Sequence, residues 1–124
     1  MKRKPILVVD DDPSMRMALS ESLVSCGHAV ETANDGIDAL ETYAKLKGEF
    51  TCILLDLTMP RMSGEEAFEQ LRRIAPDMPI ILSSGYSEAE VATRFEGRRV
   101  SGFIQKPYRF SELRQVLRKA IESV

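Results

Sequence analysis

The sequence predicts an α/β domain of five strand–helix repeats, (βα)5, with a parallel five-stranded sheet as the middle layer of a three-layer sandwich. Three observations carry that prediction. Short apolar runs alternate five times with segments of helical spacing along 124 residues, and no linker, repeat or low-complexity stretch separates them. Caps and stops fall between the two kinds of segment. The first run, Ile6 to Val9, and the third after Thr51 are apolar throughout, the pattern of a sheet covered on both faces.

Taken in order, Ile6 to Val9 is the first strand. Asp12 follows as a helix N-cap, with Pro13 at the first helical position, where no backbone N–H is needed. Met15, Ala18, Leu19, Leu23 and Cys26 then repeat at helical spacing, and Gly27 stops the helix. Ala29 to Ala33 is a short second strand. Asn34, Asp35 and Gly36 open a helix marked by Ile37, Leu40 and Ala44. Thr51 to Leu55 forms the third strand, ended by Asp56. Ser63 and Glu66 make a capping box before a helix carrying Ala67, Phe68, Leu71 and Ile74. Pro76 and Pro79 lead into the fourth strand, Ile80 to Ser83. Ser87 and Glu90 are a second capping box, ahead of a helix through Val91 to Phe95. Gly102 to Gln105 is the fifth strand. Leu113, Val116, Leu117, Ala120, Ile121 and Val124 mark the clearest amphipathic helix of the chain.

Composition excludes several classes. With 44% hydrophobic and 29% charged residues, the chain can build a core, and residues 1–124 read as one domain. A net charge of −2 argues against direct nucleic-acid binding. No apolar stretch approaches the ~20 residues that cross a bilayer, and no secretory leader is legible, so the expectation is a cytoplasmic chain that does not insert into membranes. A longer parent chain is free to be membrane-anchored. Cys26 and Cys52 fit neither a CxxC motif nor metal-ligand spacing and read as buried, reduced thiols.

In parallel α/β sheets, ligands bind beyond the carboxyl ends of the strands. Polar residues stand at four such ends: Asp10 and Asp11, Asp56, Ser83 and Ser84, and Lys106. A strand order of 2-1-3-4-5 makes those four strands neighbours, bringing three carboxylates, a hydroxyl and an ammonium into one pocket. Carboxylates that close together repel unless a cation neutralises them, and an all-oxygen site beside a phosphate suits Mg2+, with Mn2+ able to substitute. Asp10 and Asp11 therefore read as metal-holding. Asp56 reads as a nucleophile toward a phosphoryl group, Lys106 as a partner for that group's charge, and Ser84 as a hydrogen-bond donor to it.

The stretches "VVDDD", "LLDLTMPRMSG", "LSSGYSE" and "GFIQKPY", in this order and at these intervals, resemble the receiver domain of two-component response regulators. The resemblance covers the whole chain and implies the flavodoxin-like fold, with Asp56 as phosphoacceptor. It further implies a metal site of Asp10, Asp11, Asp56 and the backbone carbonyl of Thr58. Ser84, Phe103 and Lys106 fall at the family's phosphate-binding and switch positions. Thr58, Gly85 and Tyr86 border the access to the phosphoryl group, and Lys106–Pro107 falls where the family has a cis peptide. Serine stands at 84 where threonine is more frequent, and phenylalanine at 103 where tyrosine is.

"ILSSGYSE" with "GFIQKPY" is most similar to receivers at the C-terminal end of hybrid sensor histidine kinases. The partners so implied are a histidine kinase or histidine phosphotransfer domain, and an output protein on the face made by the fourth helix, fifth strand and last helix. The function so implied is acceptance of a phosphoryl group from phosphohistidine, followed by a conformational switch, in a signalling module rather than an enzyme. A stand-alone single-domain response regulator is the alternative. A Mg2+-dependent phosphohydrolase with an aspartate nucleophile is a weaker one, since its acid/base aspartate two residues on is here Thr58. His28, the one histidine, starts a strand and reads as structural.

Overall fold

Each inner strand faces two cores at once. In β1 (Ile6–Val9), Leu7 and Val9 enter one apolar cluster while Ile6 and Val8 enter another on the opposite side of the sheet. The computed structural model describes residues 4–57 and 63–122. In chain order the remaining elements are α1 (Pro13–Ser25), β2 (Val30–Ala33), α2 (Gly36–Lys45), β3 (Cys52–Asp56), α3 (Gly64–Ile74), β4 (Ile80–Ser84), α4 (Glu88–Arg94), β5 (Gly102–Gln105) and α5 (Phe110–Glu122).

All strand pairs are parallel and the sheet order is β2-β1-β3-β4-β5. The alternation continues across the register. Ile53, Leu55 and Leu82 join the side covered by α2, α3 and α4, where Ala39, Phe68, Leu71, Val91 and Phe95 pack. Cys52, Leu54, Ile81 and Ile104 face α1 and α5 through Leu19, Leu23, Leu113 and Leu117. Two buried faces explain why the strands carry so few polar residues before their carboxyl ends.

The caps anticipated from sequence are made. Asp12 accepts hydrogen bonds from the Ser14 and Met15 amides, Ser63 from Glu66, and Ser87 from Glu90. Asp35 caps α2 through the Asp38 amide. Gly27, at φ +92°, takes the left-handed turn after α1.

Some burial expectations fail. Cys26 is exposed, because as the C-cap of α1 it sits past the end of the packed helix; Cys52 is buried, and burial pushes its thiol up to about 12. Ala18 and Ala44 are also exposed. Ile74, the last residue of α3, is 52% exposed. On α1 the helical spacing picks out Leu19 and Leu23, which are buried, and leaves out Met17 and Val24, which are exposed. The expected end of the last helix at Val124 lies outside the described residues.

Gly64 opens α3 against the strand that precedes it. Its amide donates to the Leu57 carbonyl at 3.1 Å, and a Cβ there would lie 2.2 Å from the Leu57 Cα. Backbone against backbone cannot give way, so Gly64→Ala is expected to cost about 3 kcal/mol, at the upper end for overpacking, in urea unfolding. A midpoint equal to wild type would contradict this close approach.

Candidate functional site

Four strand ends build the site. The Asp10 amide is held by the Ala33 carbonyl at 3.1 Å, and the Arg16 guanidinium of α1 donates to the Asp10 carbonyl at 2.6 Å. Asp56 ends β3 opposite Ser83, and Ser84 ends β4 opposite Gln105. The Lys106 amide donates to the Ser84 carbonyl at 2.7 Å, which carries the chain from β5 into the pocket. The Lys106–Pro107 peptide is cis.

Asp10, Asp11 and Asp56 each offer a carboxylate oxygen, and these oxygens lie within 4.8 Å of one another. Asp10 and Asp56 are 2% and 3% exposed, whereas Asp11 is open to solvent. The Lys106 Nζ lies 3.1 Å from Asp10 Oδ2 and 3.4 Å from Asp56 Oδ2. The other oxygen of Asp10 accepts the Asp12 amide at 3.0 Å. Burial alone would lower the Lys106 pKa; Asp56 and Asp10 outweigh it and hold the ammonium above its ordinary 10.5. Three negative charges thus face one positive charge in a pocket that opens toward Asp11. Oxygen-only donors in that arrangement fit a small hard divalent cation such as Mg2+.

Ser84 is fully buried, and its Oγ accepts the Tyr86 amide at 2.8 Å. Gly85 and Tyr86 lie exposed on the turn after β4. Phe103 is half-buried on the α4 side of β5, where it lines a groove of about 340 Å3 with Val91, Phe95 and Val100. Thr58, expected both as a carbonyl ligand and at the access route, lies outside the described residues.

The family model of the response regulator receiver domain matches residues 6–118. The chain belongs to that family. The sensor kinase CckA of Brucella abortus is 32% identical over 117 residues, which are 94% of this chain and 12% of that protein. The response regulator MprA of Mycobacterium leprae is 35% identical over 108 residues, 87% of this chain and 46% of that protein. This receiver therefore spans less than half the length of either relative. Among solved structures, the chemotaxis protein CheY4 of Vibrio cholerae has a TM-score of 0.87 at 29% identity, covering 96% of this chain and 99% of that one. The response regulator TrrA of Thermotoga maritima, solved with Mg2+-BeF, has a TM-score of 0.81 at 32% identity, covering 94% and 98%.

Two features of the receiver's pocket escaped the sequence. Arg16 fastens the loop of Asp10 from a helix position that reads as a surface charge. The Tyr108 hydroxyl is buried with no hydrogen-bond partner among the described residues, and burial with the charges of Asp10 and Asp56 pushes its pKa up to about 12. Its place two residues after Lys106 was the only available signal. Among the described residues, no helix is long and apolar enough to cross a membrane.

Proposed function

We propose that this receiver takes a phosphoryl group from a phosphohistidine onto Asp56 and changes conformation in response, within a cytoplasmic two-component phosphorelay. The observation that carries the reading is the convergence of Asp10, Asp11 and Asp56 around Lys106, with the ammonium 3.4 Å from the Asp56 oxygen.

An Asp56 oxygen attacks phosphorus in line. The phosphorus–nitrogen bond breaks, and its electron pair returns to the donor imidazole, which takes up a proton. Asp10, Asp11, Asp56 and the Thr58 carbonyl would hold Mg2+, or Mn2+ in its place. When bound, that cation neutralises charge on the carboxylates and on the phosphoryl oxygens. Lys106 exchanges a carboxylate for a phosphoryl oxygen, as an ammonium already poised beside Asp56 can do with little rearrangement. Ser84, whose Oγ already accepts the Tyr86 amide, donates its hydroxyl proton to another phosphoryl oxygen. Movement of Ser84 then reaches Phe103 on the neighbouring strand, and through it the face of α4, β5 and α5, where an output protein would dock.

The similarity to a sensor kinase supports a module of a hybrid histidine kinase, its donor being a histidine kinase or a histidine phosphotransfer domain. The match to 99% of the CheY4 chain supports the second reading, a stand-alone single-domain response regulator, while MprA, 46% of which is covered, supports a receiver within a longer response regulator.

Amide hydrogen exchange with and without Mg2+ and beryllofluoride tests the switch. Slower exchange is expected in the turn at residues 84–87 and a changed pattern across α4, β5 and α5; identical exchange on that face would contradict the switch. Tyr86→Ala is expected to shorten the lifetime of the phosphoryl group by opening the approach of water, and an unchanged decay rate would remove Tyr86 from that role.

A further inference from the structure

Ser84 is held as the last residue of β4 by the Lys106 amide on its carbonyl, and the turn after it is closed on its side chain. Its Oγ takes the Tyr86 amide at 2.8 Å, and a Cβ at the intervening Gly85 would meet nothing within 4 Å. Beside that amide bond and the Ser87 cap of α4, the turn has a further tie in the Tyr86 side chain. The Arg94 guanidinium of α4 stacks on that ring, 4.2 Å from its centroid, and also donates to Glu65 Oε1 at 3.2 Å. Glu65 follows Gly64, whose amide is bound to Leu57, the residue after Asp56. A continuous set of contacts thus runs from Leu57 through Gly64, Glu65, Arg94 and Tyr86 to Ser84, joining the start of α3 to the turn after β4.

An exposed ion pair contributes little by itself; the Arg98–Glu69 pair at 2.9 Å comes from the turn after α4, with its guanidinium 5.4 Å from the centroid of the Phe95 ring. The Arg94 pair differs because one guanidinium is shared between a carboxylate on α3 and a ring in the turn that orients Ser84. We propose that Arg94 is a positioning residue for the phosphoryl site, clasping Tyr86 so that Ser84 stays aimed at the group on Asp56 and water is kept from it. The proposal rests on the phosphoacceptor reading above.

The test follows the decay of the phosphorylated mass of the full chain after loading with acetyl phosphate and Mg2+ and removal of both. Arg94→Met is expected to shorten the lifetime about fivefold, the factor that a cation–π contact and an exposed ion pair together supply. Arg94→Lys, which keeps a cation over the ring and beside Glu65, is expected to restore most of it. Glu65→Gln, on a different helix, should move the decay in the same direction as Arg94→Met. A double variant of Arg94→Met with Tyr86→Leu should decay no faster than Tyr86→Leu alone, a coupling that general loosening of the fold would not produce. The Tyr86 amide resonance should shift in Arg94→Met without any phosphoryl group. Wild-type decay in Arg94→Met, or effects that add in the double variant, would overturn the clasp. A wild-type chain that takes no phosphoryl group would instead overturn the reading of the site itself, and the clasp with it.

Discussion

Lys106→Met is expected to lose roughly 3 kcal/mol of stability in metal-free buffer, because it removes the ammonium from two buried carboxylates. The lysine side chain is 25% exposed, while those of Asp10 and Asp56 are 3% and 4% exposed, so water cannot replace the ammonium at either acid. Mg2+ supplies the missing positive charge, and most of the loss should return when it is added. The pH dependence carries a definite sign. Lys106 has a pKa raised above its ordinary 10.5, so its contribution is complete below about 10.5 and is lost as pH rises through the raised value. Wild type should show that alkaline loss, and Lys106→Met should lack it. Urea unfolding across the range measures both. A variant as stable as wild type without metal would mean that the ammonium does not hold the acids together.

Asp11 offers the sharper contrast between structure and function. It is exposed and, unlike Asp10 and Asp56, it has no cation beside it among the described residues. Asp11→Asn should therefore change metal-free stability by no more than about 0.5 kcal/mol. In wild type, Mg2+ at a hundred times its Kd is expected to stabilise by about 2.7 kcal/mol, a rise in Tm of roughly 10 °C for a domain of this size. Most of that rise should vanish in Asp11→Asn. Thermal melts of both proteins with Mg2+ and with a chelator decide it; an undiminished rise in the variant would place the cation elsewhere.

The fold was legible because a sheet buried on both faces leaves little choice of residue. Runs such as Ile6–Val9 and Cys52–Leu55 admit no polar side chain until the chain leaves the sheet, so their ends point to Asp10 and Asp56. Boundaries moved by a residue where strands extend into the site, as at Asp56 and Ser84. Helix faces were less legible, since Ala18 shares the spacing of Leu19 and Leu23 yet is exposed, and Cys26, at the same spacing, is the C-cap past the end of α1. In the site, Asp10, Asp11, Asp56, Ser84 and Lys106 announced themselves by interrupting apolar runs. Arg94 did not, because its meaning comes from meeting Glu65, 29 positions away, on another helix. The buried Tyr108 hydroxyl was hidden for a similar reason, since only packing against the α1 and α5 side encloses it.

Intact mass after incubation with Mg2+ and acetyl phosphate tests the central claim most directly. Wild type should gain one phosphoryl group, and neither Asp56→Asn nor the metal-free wild type should gain any. A group retained by Asp56→Asn would contradict Asp56 as the acceptor, and no gain by a wild type shown to bind Mg2+ would contradict self-sufficient phosphorylation at this site.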